Sequence, residues 1–328
     1  MRNISRVWLS AGAVAGVMLC VTAQAATELI SSDQQSASHP VVRTVVYFGQ
    51  QLAQRTKGEL TVSVKPDSQL GGEQDALKHV QEGSQAMARV SLGLFAGKVP
   101  AADIASLPYL FRSTEHFNKV LAGPFGHRLD DELEKAGFIR VMYLNSGARD
   151  FYCKKPLRSR EDFSGKRIRI LQSAVFEDLI RNLDATPVSI AFNKVTDAFK
   201  AGEIDCAEGG IVNYIGAEHN KVAPYFMQDE HMLIPDVLVM SKKVWEKLTP
   251  AQREAVKQAG AEGTAYMNQL WKDEEAAAMA AAKRANVTVV PRAQISMTGI
   301  ESQAIKTYNK FVKSSDDLET VMKIVTAK

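Results

Sequence analysis

Cysteine is scarce in this chain: three among 328 residues, at positions 20, 153 and 206. No second cysteine stands two residues from any of them, which excludes the usual zinc spacings. Charge of one sign is equally short. Lysine and arginine total 40 against 37 aspartates and glutamates, and no run of five or six like charges occurs. Opposite signs interleave, as at Asp130-Asp131-Glu132-Leu133-Glu134-Lys135. A net charge of +3 spread this way excludes an electrostatic nucleic-acid surface and reads as solvated faces. Catalytic signatures are missing too. There is no phosphate-cradling Gly-x-x-x-x-Gly-Lys-Ser/Thr, no Gly-x-Gly-x-x-Gly after a strand and no Gly-x-Ser-x-Gly elbow. None of the six histidines (39, 79, 116, 127, 219, 231) lies four residues from another, so a His-Glu-x-x-His zinc site is ruled out. No cofactor and no metal is called for, and binding is expected ahead of catalysis.

Long apolar runs are confined to one place. Arg2 and Arg6 precede an apolar stretch from Val7 to Val21, and Ala23-Gln24-Ala25 then supplies small residues for cleavage. That is the three-part pattern of a secretory signal peptide spanning residues 1–25. Beyond it no stretch approaches the ~20 apolar residues of a spanning helix. Cys153 and Cys206 remain after cleavage. An oxidising compartment permits a bridge, yet nothing in the sequence brings the two together, and the expectation is two free, half-buried thiols.

A chain of 328 residues exceeds the size at which one core stops growing, so two lobes are expected. Thr27 to His39 reads as a polar segment, followed by a helix-period pattern at Val42, Val45, Val46, Phe48 and Leu52. Leu60, Val62 and Val64 alternate with polar residues, as a strand with one polar face does. Leu70-Gly71-Gly72-Glu73 is a turn opening a helix that Gly83 closes in a left-handed cap, and a strand over 86–91 follows. The grammar recurs. A strand about Ile168 and Ile170 leads to a helix from about Ala174 to Leu183, a strand over 186–190, a helix from about Lys194 to Lys200 closed by Gly202, and a strand over 204–207. This strand–helix–strand alternation argues for parallel α/β sheets, one unit in each half. Thr249-Pro250 is an N-cap and first-turn pair opening a long helical stretch to about Arg284, which Gly260 and Gly263 are expected to bend or interrupt.

Several segments in order resemble one family, the solute-binding proteins of the tripartite ATP-independent periplasmic (TRAP) transporters. They are Leu70-Gly71-Gly72-Glu73, Leu107-Pro108-Tyr109-Leu110-Phe111-Arg112, Ser146-Gly147-Ala148-Arg149 with Phe151 and Tyr152, the run from Asp162 to Ile170, Ala201-Gly202-Glu203-Ile204-Asp205, and Pro235 to Leu238 with Ser241, Trp245 and Leu248. The resemblance implies a two-lobed α/β binding protein of the Venus-flytrap type, with crossing strands, a long helix along both lobes, and a cleft that closes on a carboxylated ligand. It implies a first lobe of residues 26–147 with about 236–275, and a second of 148–235 with about 276–328. It further implies a periplasmic monomer that delivers a small organic acid to the small and large subunits of an ion-coupled TRAP permease.

Alternation alone does not choose between Arg167 and Arg169 as a functional arginine. The resemblance places the family's carboxylate partner on Arg169, with Arg149 also facing the cleft and Glu73 accepting from ligand hydroxyls. His39, Ser91, Tyr214 and His231 fall at positions that line the cleft in the sugar-acid group. One departure stands out: where hexuronate binders tend to carry paired asparagines, this chain has Gly209 and Gly210. Glycine there enlarges the pocket or bares backbone N–H groups. A sugar acid, hexuronate or aldonate, is the first expectation for the ligand, with four-carbon dicarboxylates, keto acids and aromatic acids open. A sensory component of a receptor and a sugar-acid lyase or hydrolase are the rival functions.

Overall fold

A computed structural model describes residues 26–327. The signal-peptide reading of residues 1–25 lies outside the described residues. Among the described residues eleven strands occur in chain order: β1 (Thr27–Ser32), β2 (Leu60–Lys65), β3 (Met87–Ser91), β4 (Phe138–Leu144), β5 (Ala148–Cys153), β6 (Arg167–Ile170), β7 (Thr186–Ser189), β8 (Cys206–Gly209), β9 (Tyr225–Leu233), β10 (Asp236–Ser241) and β11 (Thr288–Val290). They form two sheets, ordered β2-β1-β3-β10-β4 and β11-β9-β5-β8-β6-β7. The fold is the expected two-lobed α/β architecture, but both sheets are mixed. The alternating units supply the parallel pairs β1–β2, β1–β3, β6–β7 and β6–β8. Antiparallel partners come from strands that change sheets: β10 against β3 and β4, and β5 against β8 and β9. β1 falls in the segment read as polar. Two aliphatic residues suffice there, because β2 and β3 flank the strand and bury Leu29.

Helices cover the sheets with the apolar stripes their spacing provides. Val45, Phe48 and Leu52 of helix Pro40–Arg55 and Leu77 and Val80 of helix Glu73–Glu82 bury against the first sheet. Val175, Leu179 and Ile180 of helix Ala174–Asn182 do so in the second. Each such side chain contributes roughly 1.5–3 kcal/mol by leaving water. The expected caps form: Gly83 and Gly202 sit at φ 82° and 71°. The Thr249 hydroxyl accepts from Gln252 N (3.2 Å), and the Gln252 side chain accepts from Thr249 N (3.0 Å).

The helix Pro250–Arg284 runs 35 residues without a break, roughly 50 Å. Gly260 and Gly263 therefore do not interrupt it. They let β4 approach: a Cβ on Gly260 would lie 2.3 Å from the Val141 carbonyl oxygen, and one on Gly263 2.6 Å from Met142 Sδ. The same helix reaches helix Ile211–Gly216 and β11 in the second lobe.

The chain passes between the sheets at Asn145–Gly147 and returns at Ile234–Pro235. The two crossings lie side by side, the Ser146 hydroxyl donating to the Ile234 carbonyl (2.9 Å) and Leu92 N to that of Pro235 (3.0 Å). The Leu107–Phe111 turn buries Leu107, Leu110 and Phe111 and also reaches across, with Tyr109 N donating to the His231 carbonyl (2.9 Å).

Cys153 and Cys206 face each other on β5 and β8 and form a disulfide, which overturns the expectation of free thiols. Their 53-residue separation hid an antiparallel pairing that brings their Cα atoms to 4.1 Å.

Candidate functional site

Between the lobes lies a cleft of about 430 Å³, walled on one side by Glu73 and Leu94 and on the other by Arg169, Leu171, Ile190 and Phe192. Gln34, Phe192 and Asn193 are shared with an adjoining recess of about 260 Å³ bordered by His39 and His219.

The second lobe's wall follows from strand order. β8 lies between β5 and β6, so the carboxylate of Glu208 on β8 is flanked by Arg149 from β5 and Arg169 from β6. Arg149 Nε donates to Glu208 Oε2 (2.5 Å), and Arg169 Nη1 stands 3.6 Å from Glu208 Oε1, which also accepts from Leu171 N (3.2 Å). Arg169 Nε donates to the Ile190 carbonyl (2.9 Å). Phe176 and Phe192 lie under the two guanidiniums, at 5.3 and 5.9 Å. All three charged residues are buried: Arg149 at 8%, Arg169 at 3% and Glu208 at 1% exposure. Burial lowers the pKa of Arg169 despite Glu208. Burial also opposes the charges on Arg149 and Glu208, yet their pairing outweighs it, raising the arginine and lowering the glutamate. Two guanidiniums thus share one carboxylate, an arrangement one positive charge in excess.

The first lobe's wall has the opposite balance. Arg89 on β3 is fully buried and wholly committed: Nε and Nη2 donate to Asp33, and Nη1 to Glu73 (2.8 Å) and Asp236 (3.3 Å). Glu73, in the first turn of its helix, also accepts from Ser91 N (3.3 Å). Burial pushes the Glu73 carboxyl up to about 7, because the guanidinium it touches is divided among three acids, two of which repel it.

The other expected residues fall in different places. His39 caps helix Pro40–Arg55, its Nδ1 accepting from Val41 N (3.3 Å). Its Nε2–H therefore donates across the cleft to Asn213 Oδ1 (2.8 Å), and burial keeps the ring neutral with a pKa of about 4. Ser91 ends β3 beside Glu73, its hydroxyl buried without a protein partner. His231 donates from Nδ1 to Asp229 (2.8 Å) and stacks on Phe151 at 4.2 Å, leaving Nε2 buried and unpartnered. Tyr214 sits in the aromatic core against Tyr152 and Phe226, and its hydroxyl is used on the Ala223 carbonyl (2.7 Å). A Cβ on Gly210 would lie 3.0 and 3.2 Å from the carbonyl oxygens of Ser146 and Ala148, so glycine there serves close backbone approach. One on Gly209 would meet only Tyr152 (3.8 Å) and Arg149 Nη2 (4.0 Å), so the absent side chain bares the wall beside Arg149.

Sequence reasoning assigned no role to Glu208, Arg89, Asp33, Asp236 or His219. A usable signal existed for one of them: Arg89 is the single charge within the segment read as a strand over 86–91, whereas Glu208 lies just past the strand read over 204–207. His219 donates to or accepts from the Tyr152 hydroxyl (2.8 Å), and burial, then the charge of Arg169, lowers its pKa to about 4.

A family model described as bacterial extracellular solute-binding protein, family 7, matches residues 31–314. The uncharacterized protein YiiZ of Salmonella typhimurium is 35% identical over 253 residues, 76% of this chain and 77% of that protein. The C4-dicarboxylate-binding periplasmic protein DctP of Rhodobacter capsulatus is 30% identical over 241 residues, 73% and 72% of the two chains. A TRAP periplasmic solute-binding protein of a Bradyrhizobium species, solved in complex with α/β-D-galacturonate, superposes with a TM-score of 0.89 at 32% identity, covering 92% of this chain and all of that one.

Proposed function

Since the chain belongs to the bacterial extracellular solute-binding protein family 7, we propose that it captures a sugar acid by pairing the ligand carboxylate with Arg169 and Arg149 and closing its lobes. The observation that carries this reading is the pair of buried guanidiniums sharing the single carboxylate of Glu208. A buried excess charge is costly unless paired. A ligand carboxylate supplies the missing partner, and an arginine fork binds it directionally without losing its own proton. Likeness to a galacturonate complex supports a uronate or aldonate as the cargo.

In this reading the lobe of residues 26–147 with about 236–275 hinges against that of 148–235 with about 276–328 at the paired crossings. Contacts from both walls favour the closed state. The signal-peptide pattern of residues 1–25 supports delivery to the periplasm. The closed form hands its ligand to a TRAP membrane permease rather than transforming it.

The test is a thermal-shift screen of the exported chain against organic acids, followed by titration of Arg169→Ala. A bound acid raises the unfolding temperature, by an amount that grows with the logarithm of free ligand over Kd. Removing one partner of a desolvated charge pair costs about 2–5 kcal/mol, so Arg169→Ala should weaken affinity by at least ~30-fold with an unchanged circular dichroism spectrum. A neutral sugar or amine that stabilises the protein while no acid does, or undiminished affinity in the variant, rejects the reading.

A further inference from the structure

The two walls of the cleft are electrically unlike, and the difference bears on how many carboxylates a ligand can bring. On the second lobe, Arg149 spends only Nε on a protein acceptor, and Arg169 only Nε. Their terminal Nη groups have no protein acceptor within hydrogen-bond distance among the described residues, Arg169 Nη1 lying 3.6 Å from Glu208. Lys194 adds a further cation to that side. On the first lobe, the residues bordering the cleft and its recess include Glu73, Asp75 and Asp67 but no lysine or arginine. The nearest guanidinium, Arg89, has every terminal nitrogen engaged by Asp33, Glu73 or Asp236. Arg89 faces three carboxylates. With Glu73 ionised that cluster carries −2, and with Glu73 protonated it still carries −1.

We infer that the cleft selects acids bearing one carboxylate and rejects those with a carboxylate at both ends, because its available guanidinium groups all lie on the second lobe. This rests on the sugar-acid reading above and narrows it. A ligand lying across the gap places its carboxylate on Arg149 and Arg169 and its far end against Glu73 and the ring of acids behind it. A hydroxyl there donates to Glu73. A carboxylate there meets like charge with no free cation to receive it. One unit of like charge roughly 6 Å away, at an effective dielectric of about 20, weakens binding on the order of 100-fold. The walls of relatives that take two carboxylates need not share this asymmetry. The relative whose name assigns it C4-dicarboxylates is only 30% identical.

The experiment is calorimetric titration at pH 7.5 with two sets of ligands. One set is galacturonate, glucuronate, galactonate and gluconate. The other is galactarate, glucarate, succinate and malate. Galactonate and galactarate differ only in whether one chain end is a hydroxymethyl or a carboxylate. The tightest one-carboxylate ligand should bind about 100-fold more tightly than the tightest two-carboxylate ligand. A gap under tenfold, or a dicarboxylate that binds more tightly, overturns the inference and leaves acid capture standing. No binding in either set overturns the sugar-acid reading on which this inference rests, and this inference with it. Asp236→Asn, which lowers the negative charge of the first wall, should narrow the gap by about tenfold. A folded Asp236→Asn protein with an unchanged gap refutes the assignment of the rejection to that wall. The unaltered chain's two sets decide the matter if the variant does not fold.

Discussion

Replacing Glu208 by glutamine separates the two jobs that a single buried carboxylate performs. It sits at 1% exposure between two buried guanidiniums, bonded to Arg149 Nε and 3.6 Å from Arg169 Nη1. The amide keeps the shape and one acceptor oxygen for Leu171 N but removes the counter-charge. Deleting one partner of a buried ion pair costs about 3–5 kcal/mol, because the charge left behind stays desolvated. At about 2.1 cal/mol/K of unfolding entropy per residue over roughly 300 residues, a 3 kcal/mol loss lowers Tm by about 5 °C. The ligand-free variant should therefore unfold about 5 °C below the parent in a calorimetric scan. The ligand carboxylate restores a negative charge at the same place, so saturating ligand should raise the variant's Tm by more than it raises the parent's. A ligand-free Tm within 1 °C of the parent, or a smaller ligand-induced shift, refutes the view that the arginines depend on this one acid.

Two further outcomes test other parts of the structure. Glu73 binds its proton more tightly folded (about 7) than in the ordinary range, so the folded state holds more protons and stability falls as pH rises from about 4.5 to 7. At about 1.4 kcal/mol per unit the loss is roughly 3 kcal/mol, and urea midpoints at pH 5 and pH 7 should differ less in Glu73→Gln than in the parent; an equal difference defeats the argument. Gly260→Ala gains about 1 kcal/mol from helix propensity yet should lower stability by about 1–3 kcal/mol overall, since its methyl meets the Val141 carbonyl at 2.3 Å. A raised Tm would mean that the helix and β4 are not in close contact there.

What the sequence made legible was whatever depends on neighbours in the chain. Gly83, Gly202 and Thr249-Pro250 announce helix ends, and the alternation of Leu60, Val62 and Val64 announces a strand, because caps and pleats are decided within a few residues. β1 escaped notice because its burial is conferred by β2 and β3. The Cys153–Cys206 bond escaped for the same reason, since pairing of β5 with β8 is a long-range event. Gly260 and Gly263 were legible as exceptions but not as packing sites, which needs the position of β4. Alternation could not separate Arg167 from Arg169. The fold does, leaving Arg167 exposed on Asp205 (3.0 Å) and sinking Arg169 beside Glu208. Tyr214 was placed by likeness alone, and the aromatic stack it joins is invisible in the chain order.

The cross-link between β5 and β8 reaches beyond ordinary reinforcement. It fixes Cys153 opposite Cys206 in the register that also sets Phe151 against Glu208, on the very strand that carries Arg149. Closing a 53-residue loop removes about 4 kcal/mol of freedom from the unfolded chain. A slip of one step along those strands would turn Arg149 and Glu208 to opposite faces of the sheet. The disulfide therefore locks this strand alignment, and a chain held in a reducing medium must bring Arg149 and Glu208 together without that lock.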